Sequence, residues 1–170
     1  RLLPLVQELL RKTAYRLGNG GLLLIGSDLI KDIETLEAAY NDAGGVTAEF
    51  NLNLLKRLNR ELDASFDTRS FSHQAFFNLD HSRIEMHLVS SEKQVVLVGE
   101  ELIRFRRGET IHTENSVKFT ESGFEGLAEN SGFSLLKAWT DPNRWFAMYL
   151  LRSDVPGKIE WPARVSDQCK

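Results

Sequence analysis

A chain of 170 residues that is 42% hydrophobic and 26% charged can bury the core of one globular domain, or of two small ones sharing a core. Its net charge of −3 is spread as mixed signs and no basic run exceeds Arg104–Arg107, which argues against a nucleic-acid partner. Apolar runs such as Leu22–Ile25 are too short to span a bilayer and no signal peptide is visible, so no membrane partner is expected; the single cysteine, Cys169, excludes an internal disulfide framework and favours a reducing, cytoplasmic setting.

The first apolar residues, Leu2, Leu3, Leu5, Val6, Leu9, Leu10 and Leu17, follow helical spacing, and Gly18-Asn19-Gly20-Gly21 stops that helix with residues that tolerate a left-handed backbone. Leu22–Gly26 is apolar without alternation, the pattern of a strand buried on both faces as in a parallel sheet. Asp32 is placed to cap a helix through Tyr40, which Gly44-Gly45 breaks. Thr47 is expected to cap the next helix, with Phe50, Leu54, Leu55, Leu58 and Leu62 on its apolar face. A loop, Ala64–Phe71, leads into short strands. Arg83–Val89 alternates, with Ile84, Met86 and Leu88 sharing a face, and Gln94–Val98, Leu102–Phe105 and Glu109–Ser116 complete a predicted antiparallel meander. The period then returns to helical: Thr120 caps a helix through Asn130, and Gly132 ends it. Phe133–Thr140 and Trp145–Leu151 read as a hairpin around Asp141-Pro142-Asn143.

Residues 1–30 and 119–152 therefore read as one α/β sheet domain, interrupted by an inserted α+β domain over residues 31–118 and followed by an irregular tail, 153–170. Within the insert, Gly108–Phe119 carries polar groups where a strand usually carries apolar ones. Alternate strand residues share a face, so His112, Glu114 and Ser116 are expected to point one way and Ile111, Thr113 and Asn115 the other. Glu114 and Ser116 then sit about 7 Å apart. A carboxylate and a hydroxyl at that separation can grip both nitrogens of a small polar ring, although a sheet face turned to water is the commoner cause of such a pattern. The four histidines, His73, His81, His87 and His112, follow no metal-ligand spacing and no cysteine pair joins them, so no metal site is expected.

Five segments carry a family resemblance: GGLLLIGSDLIKD (Gly20–Asp32), LEAAYNDAGGVTAEFNLNLLKRLNREL (Leu36–Leu62), HSRIEMHLVS (His81–Ser90), GETIHTENSVKF (Gly108–Phe119) and WTDPNRWFAMYLL (Trp139–Leu151). In this order, over about Leu9–Leu151, they resemble the histidine-specific, S-adenosylmethionine-dependent N-alpha-methyltransferases of ergothioneine biosynthesis. The resemblance implies the later half of a class I methyltransferase sheet, Rossmann-like, with an inserted amino-acid-substrate domain. It implies S-adenosylmethionine as cofactor, L-histidine as substrate, and three successive methyl transfers to the alpha-amino group by direct displacement. It places Glu114 and Ser116 on the substrate's imidazole, Tyr40 at its carboxylate and amino end, and Met86 in the apolar wall beside the ring. It assigns no catalytic residue in this chain.

One departure is large. The glycine-rich loop with which the family holds its cofactor has no counterpart: Gly18-Asn19-Gly20-Gly21, Gly44-Gly45 and Gly123/Gly126 do not follow a strand and open a helix in the G-x-G-x-x-G manner. With its start at Arg1, the chain is thus expected to be a C-terminal portion, inactive alone, whose partner is the N-terminal methyltransferase half. Two other readings stand beside it. One is an N-methyltransferase of a tryptophan-derived substrate, against which the polar ring clamp argues. The other is a non-catalytic amino-acid-binding module, which the missing cofactor loop favours.

Overall fold

A computed structural model describes residues 2–157. In chain order its elements are α1 (Leu2–Leu17), β1 (Leu22–Asp28), α2 (Ile33–Tyr40), α3 (Val46–Glu61), β2 (Phe71–Asn78), β3 (Arg83–Ser90), β4 (Gln94–Val98), β5 (Glu101–Phe105), β6 (Thr110–Val117), α4 (Glu121–Glu129), β7 (Phe133–Thr140) and β8 (Phe146–Ser153). They form two compact units, one running to Ile30 and resuming at Lys118, the other spanning Lys31–Val117.

The first unit is an α/β layer built on the antiparallel sheet β1-β8-β7. Its core joins Leu10 and Ala14 of α1, Phe124 and Ala128 of α4, and Phe133, Ala147, Tyr149 and Leu151 of the hairpin. The Tyr149 ring stacks on Phe124 with centroids 4.4 Å apart. The hairpin turn forms because the Asp141 carboxylate accepts the backbone N–H groups of Asn143, Trp145 and Phe146. Thr120 caps α4 by accepting the Gly123 N–H at 3.0 Å. Lys118, fully buried, is matched by Asp28 at 2.7 Å, so its charge lies against a carboxylate at the end of β1.

Two expectations change here. Leu22–Gly26 is not a parallel strand buried on both faces: β1 pairs antiparallel with β8, and Leu24 is 59% exposed. Only Leu23 and Ile25 reach the core, because one side of this sheet is covered by the unit's own helices. Ser153, assigned to an irregular tail, is the last residue of β8 and exchanges backbone hydrogen bonds with Gly20 and Gly21. Residues 158–170 of the predicted tail lie outside the described residues.

The second unit is α+β. Its sheet has the order β2-β3-β6, all antiparallel, and β4-β5 form a separate two-stranded ribbon. The predicted continuous meander is therefore broken. The ribbon is an excursion between β3 and β6 that buries Val96 and Phe105 against Phe66, Phe71, Leu88 and Leu55, a cluster the sheet alone does not complete. Asp32 caps α2, accepting the Thr35 N–H at 2.7 Å. Thr47 does not cap α3 but sits in its first turn. Gly45 occupies the N-cap with φ 71°, and the Asp42 carboxylate accepts the Val46 and Thr47 N–H groups, both at 2.9 Å. These bonds, Thr47 first, hold the Asp42 carboxyl at about 2. The buried stripe of α3 is Asn51 and Leu55, flanked by Leu52 and Leu58, whereas Phe50 and Leu62 are exposed. A polar residue, Asn51, takes one of the two buried positions of the helix beside Leu55, so the buried stripe is not the one its leucines suggest.

Candidate substrate-binding face

The site begins with a one-residue irregularity. β3 and β6 pair Ile84 with Ser116 and Met86 with Glu114, but then His87 with His112, so Thr113 is an extra residue on β6. Its hydroxyl donates to the Met86 carbonyl at 3.0 Å, which satisfies the backbone where the ladder is interrupted. Side chains alternate with a period of two, so a residue left unpaired puts its two flanking neighbours, which would otherwise share a face, on opposite faces. Glu114 and Ser116 keep the face of Met86 and Ile84. His112, expected beside them, lies on the opposite face with His87.

On the first face, Met86 and Ile84 are fully buried with Ala75 and Leu36, and Tyr40 and Phe77 pack against them. The Tyr40 hydroxyl donates to Ser116 Oγ at 2.8 Å, joining the end of α2 to β6. Glu114 is exposed beside Met86, and its carboxylate makes no hydrogen bond or ion pair among the described residues. Tyr40, Met86, Glu114 and Ser116 are thus on one face, with an apolar floor and polar groups at its rim.

The position of Tyr40 is held by residues that sequence reasoning missed. Asn51 Nδ2, which only donates, lies 3.0 Å from His73 Nδ1 and 3.1 Å from the His87 carbonyl. His73 Nδ1 must therefore accept, the ring proton sits on Nε2, and Nε2–H donates to the Tyr40 carbonyl at 2.8 Å. Along the free edge of β2, Asn41 bonds both the N–H and the carbonyl of Ala75, and Glu37 accepts the Phe77 N–H at 2.9 Å. Side chains of α2 thus take the place of a further strand. The signal available in the sequence was the i, i+4 pair Glu37 and Asn41, polar groups one turn apart on a helix that ends at Tyr40.

The opposite face holds a charged network. Glu85 Oε1 accepts from Arg83 at 2.8 and 2.6 Å and from Asn78 at 2.9 Å, while Oε2 lies 3.1 Å from His87 Nε2. Burial pushes the Glu85 carboxyl up, but hydrogen bonds from Arg83 and His87, the guanidinium charge and Asn78 outweigh it and hold the group at about 2. His87 is stacked between Phe76 and His112, with centroid separations of 5.2 and 4.4 Å.

Residues 4–153 match the family described as histidine-specific, S-adenosylmethionine-dependent methyltransferases. A histidine N-alpha-methyltransferase of Mycobacterium tuberculosis is 41% identical over 133 residues, covering 77% of this chain and 41% of that protein. The enzyme of the same name from Mycolicibacterium smegmatis is 41% identical over 145 residues, 84% of this chain and 45% of that protein. Ergothioneine biosynthesis protein 1 of Schizosaccharomyces pombe is 23% identical over 154 residues, 90% of this chain and 20% of that protein. The chain therefore spans less than half the length of these relatives. The residues described do not fit S-adenosylmethionine as a self-sufficient cradle: β1 passes through Leu29–Asp32 into α2 without a glycine, and no other described strand opens a helix through a glycine-rich turn. No helix among the described residues is long and apolar enough to cross a membrane.

Proposed function

The chain belongs to the histidine-specific, S-adenosylmethionine-dependent methyltransferases, and on that footing we propose that its Lys31–Val117 unit is the amino-acid-recognition part of an enzyme that trimethylates the alpha-amino group of L-histidine in ergothioneine biosynthesis. The observation that carries this reading is the single sheet face on which Tyr40, Met86, Glu114 and Ser116 meet, with Tyr40 and Ser116 2.8 Å apart.

Each side chain has a role that its surroundings support. Glu114, exposed and without a protein partner among the described residues, accepts an imidazole N–H, a charged hydrogen bond contributing about 1.5–3 kcal/mol. Ser116 serves the second ring nitrogen. Met86 lies in the buried floor under the ring, where a thioether tolerates a flat polarizable partner. Tyr40 reaches the carboxylate and amino end, its backbone fixed through His73 and Asn51. Because Tyr40 and Ser116 bond one another directly, an entering histidine replaces or bridges that bond, so ring and amino end are sensed together. A site that must hydrogen-bond a polar ring leaves its own groups unpaired with an indole and rejects it.

The other unit, with its β1-β8-β7 order and closing hairpin, is read as the later half of a class I methyltransferase sheet. The cofactor's main binding loop is assigned to an N-terminal methyltransferase half outside the described residues, and the chain alone is proposed to be inactive. The test is to incubate the protein, in its complete reading frame, with S-adenosylmethionine and each common amino acid, and to follow products by mass spectrometry. Stepwise addition of methyl groups to histidine, slowed about 100-fold in Glu114→Ala, is the expected result. Transfer to tryptophan instead would replace the substrate assignment. Histidine binding with no transfer to any amino acid would leave a non-catalytic binding module.

A further inference from the structure

Glu85, His87 and His112 each place one ligand-type atom within 4.8 Å of the others. Glu85 and His87 are alternate residues of β3 and share a face; His112 arrives from β6 as the cross-strand partner of His87, on that side because Thr113 is left unpaired in the ladder. We propose that these three side chains form a binding site for a borderline divalent transition metal, zinc being the best match, on the sheet face opposite Met86 and Glu114.

The donor set is two imidazole nitrogens and one carboxylate oxygen, which suits zinc, whereas calcium and magnesium favour oxygen throughout. His87 Nε2 and Glu85 Oε2 are 3.1 Å apart. Two ligands about 2.1 Å from one ion, at tetrahedral to octahedral angles, are separated by about 3.0–3.4 Å. That edge of a coordination shell is already formed. His112 supplies the adjustment: its side chain is exposed, and its ring nitrogen is held by a bond of 3.1 Å to the Glu114 carbonyl. The carboxylate is also divided in the manner of a metal ligand. Arg83 and Asn78 both bond Oε1, orienting the group and leaving Oε2 on the side of the histidines.

A second observation points to a partner beyond the protein's own groups. His87 Nδ1 and Asn115 Oδ1 are buried without a hydrogen-bond partner, and Asn115 stands opposite Glu85 in the register. With the ring proton on Nε2, shared with Glu85, both orphans are acceptors. Metal binding at Nε2 moves that proton to Nδ1, with no net release, and converts one of the two acceptors into a donor. Linear spacing hides the site because its third ligand joins through strand pairing. An ion here ties β3 to β6 at the bulge, the two strands that carry Met86, Glu114 and Ser116 on their other side.

The experiment is a zinc titration of the tag-free, chelator-treated protein in its complete reading frame, with cobalt(II) as spectroscopic reporter and magnesium as control. Expected are saturable binding of one zinc per chain, intense cobalt ligand-field bands of four- or five-coordination, and no competition by magnesium. His112→Phe retains an aromatic ring to stack on His87 and removes the nitrogen. It should weaken zinc binding by more than the about 10–100-fold that loss of an outer-shell partner costs, with an unchanged metal-free melting temperature. His81→Ala, which alters an exposed histidine outside the cluster, should bind like the parent. Equal zinc affinity in His112→Phe and the parent overturns the proposal, as does a parent that shows no saturable binding or only a six-coordinate cobalt spectrum.

Discussion

The two faces of the β2-β3-β6 sheet are made from the same strands and behave as different materials. One is an apolar floor of Ile84, Met86 and Ala75 with Tyr40, Ser116 and Glu114 at its rim. The other is a charge network in which Arg83, Asn78 and His87 all turn to Glu85. On the first face Glu114 is exposed with no partner among the described residues, whereas on the second the groups around Glu85 bond one another and leave His87 Nδ1 and Asn115 Oδ1 without partners. The difference teaches how little sequence is needed to separate two chemistries. With Thr113 paired as in a regular strand, strict alternation puts His112 on the side of Glu114. With Thr113 left unpaired, the histidine joins His87, and the carboxylate is left beside methionine.

The most disruptive way to break the comparison is to insert one alanine between Ile111 and His112. With Thr113 still unpaired, His112 keeps its place opposite His87, but Ile111 moves one position along the strand to the other face, away from the cluster around Leu88 and Phe71. The expected loss is about 3 kcal/mol or more of unfolding free energy, read from urea denaturation at constant m. An unchanged midpoint would mean that register does not sort the faces.

Removing one carboxylate sharpens the contrast. Glu114→Ala is expected to lower kcat/KM for histidine about 100-fold, or about 2.7 kcal/mol, while stability stays within about 0.5 kcal/mol, because the side chain is exposed. Steady-state kinetics and a melting curve on the same preparation check both halves. Tyr40→Phe is milder. It removes the hydroxyl that bonds Ser116 and should cost about 1 kcal/mol of stability and raise KM for histidine about tenfold.

The smallest effect touches neither face and so serves as their control. Asp42 has its folded pKa depressed to about 2 by the Thr47 and Val46 N–H groups. Its contribution is therefore complete above the ordinary aspartate value, about pH 4, and is lost as pH falls toward 2. Melting temperature should decline over that window, and Asp42→Ala should flatten the decline while lowering the melting temperature at neutral pH. A variant whose acid limb matches the parent's would show that the cap is not the titrating contact.

Much of the local structure was legible. Asp32 and Thr120 announce their helices because a cap is a contact between residues three apart. Asp141 announces its hairpin for the same reason. The alternation of Ile84, Met86 and Leu88 identified a buried strand face, since period two follows from backbone geometry alone. Asn51 was not legible as a core residue, because its acceptability there depends on His73 and the His87 carbonyl, supplied by other strands. Nor was the separation of the β4-β5 ribbon from the sheet, which rests on where Phe105 and Val96 find partners.

What the sequence by itself determined, then, is the family, the kinds of element and their order, and the place of a strand rich in polar residues. Which strands pair, on which side of the sheet His112 falls, and how Glu85 comes to face two histidines were decided only in the tertiary structure. The last two depend on register between β3 and β6, which pair only after the chain has left for the β4-β5 ribbon and returned, and a single unpaired residue decides them.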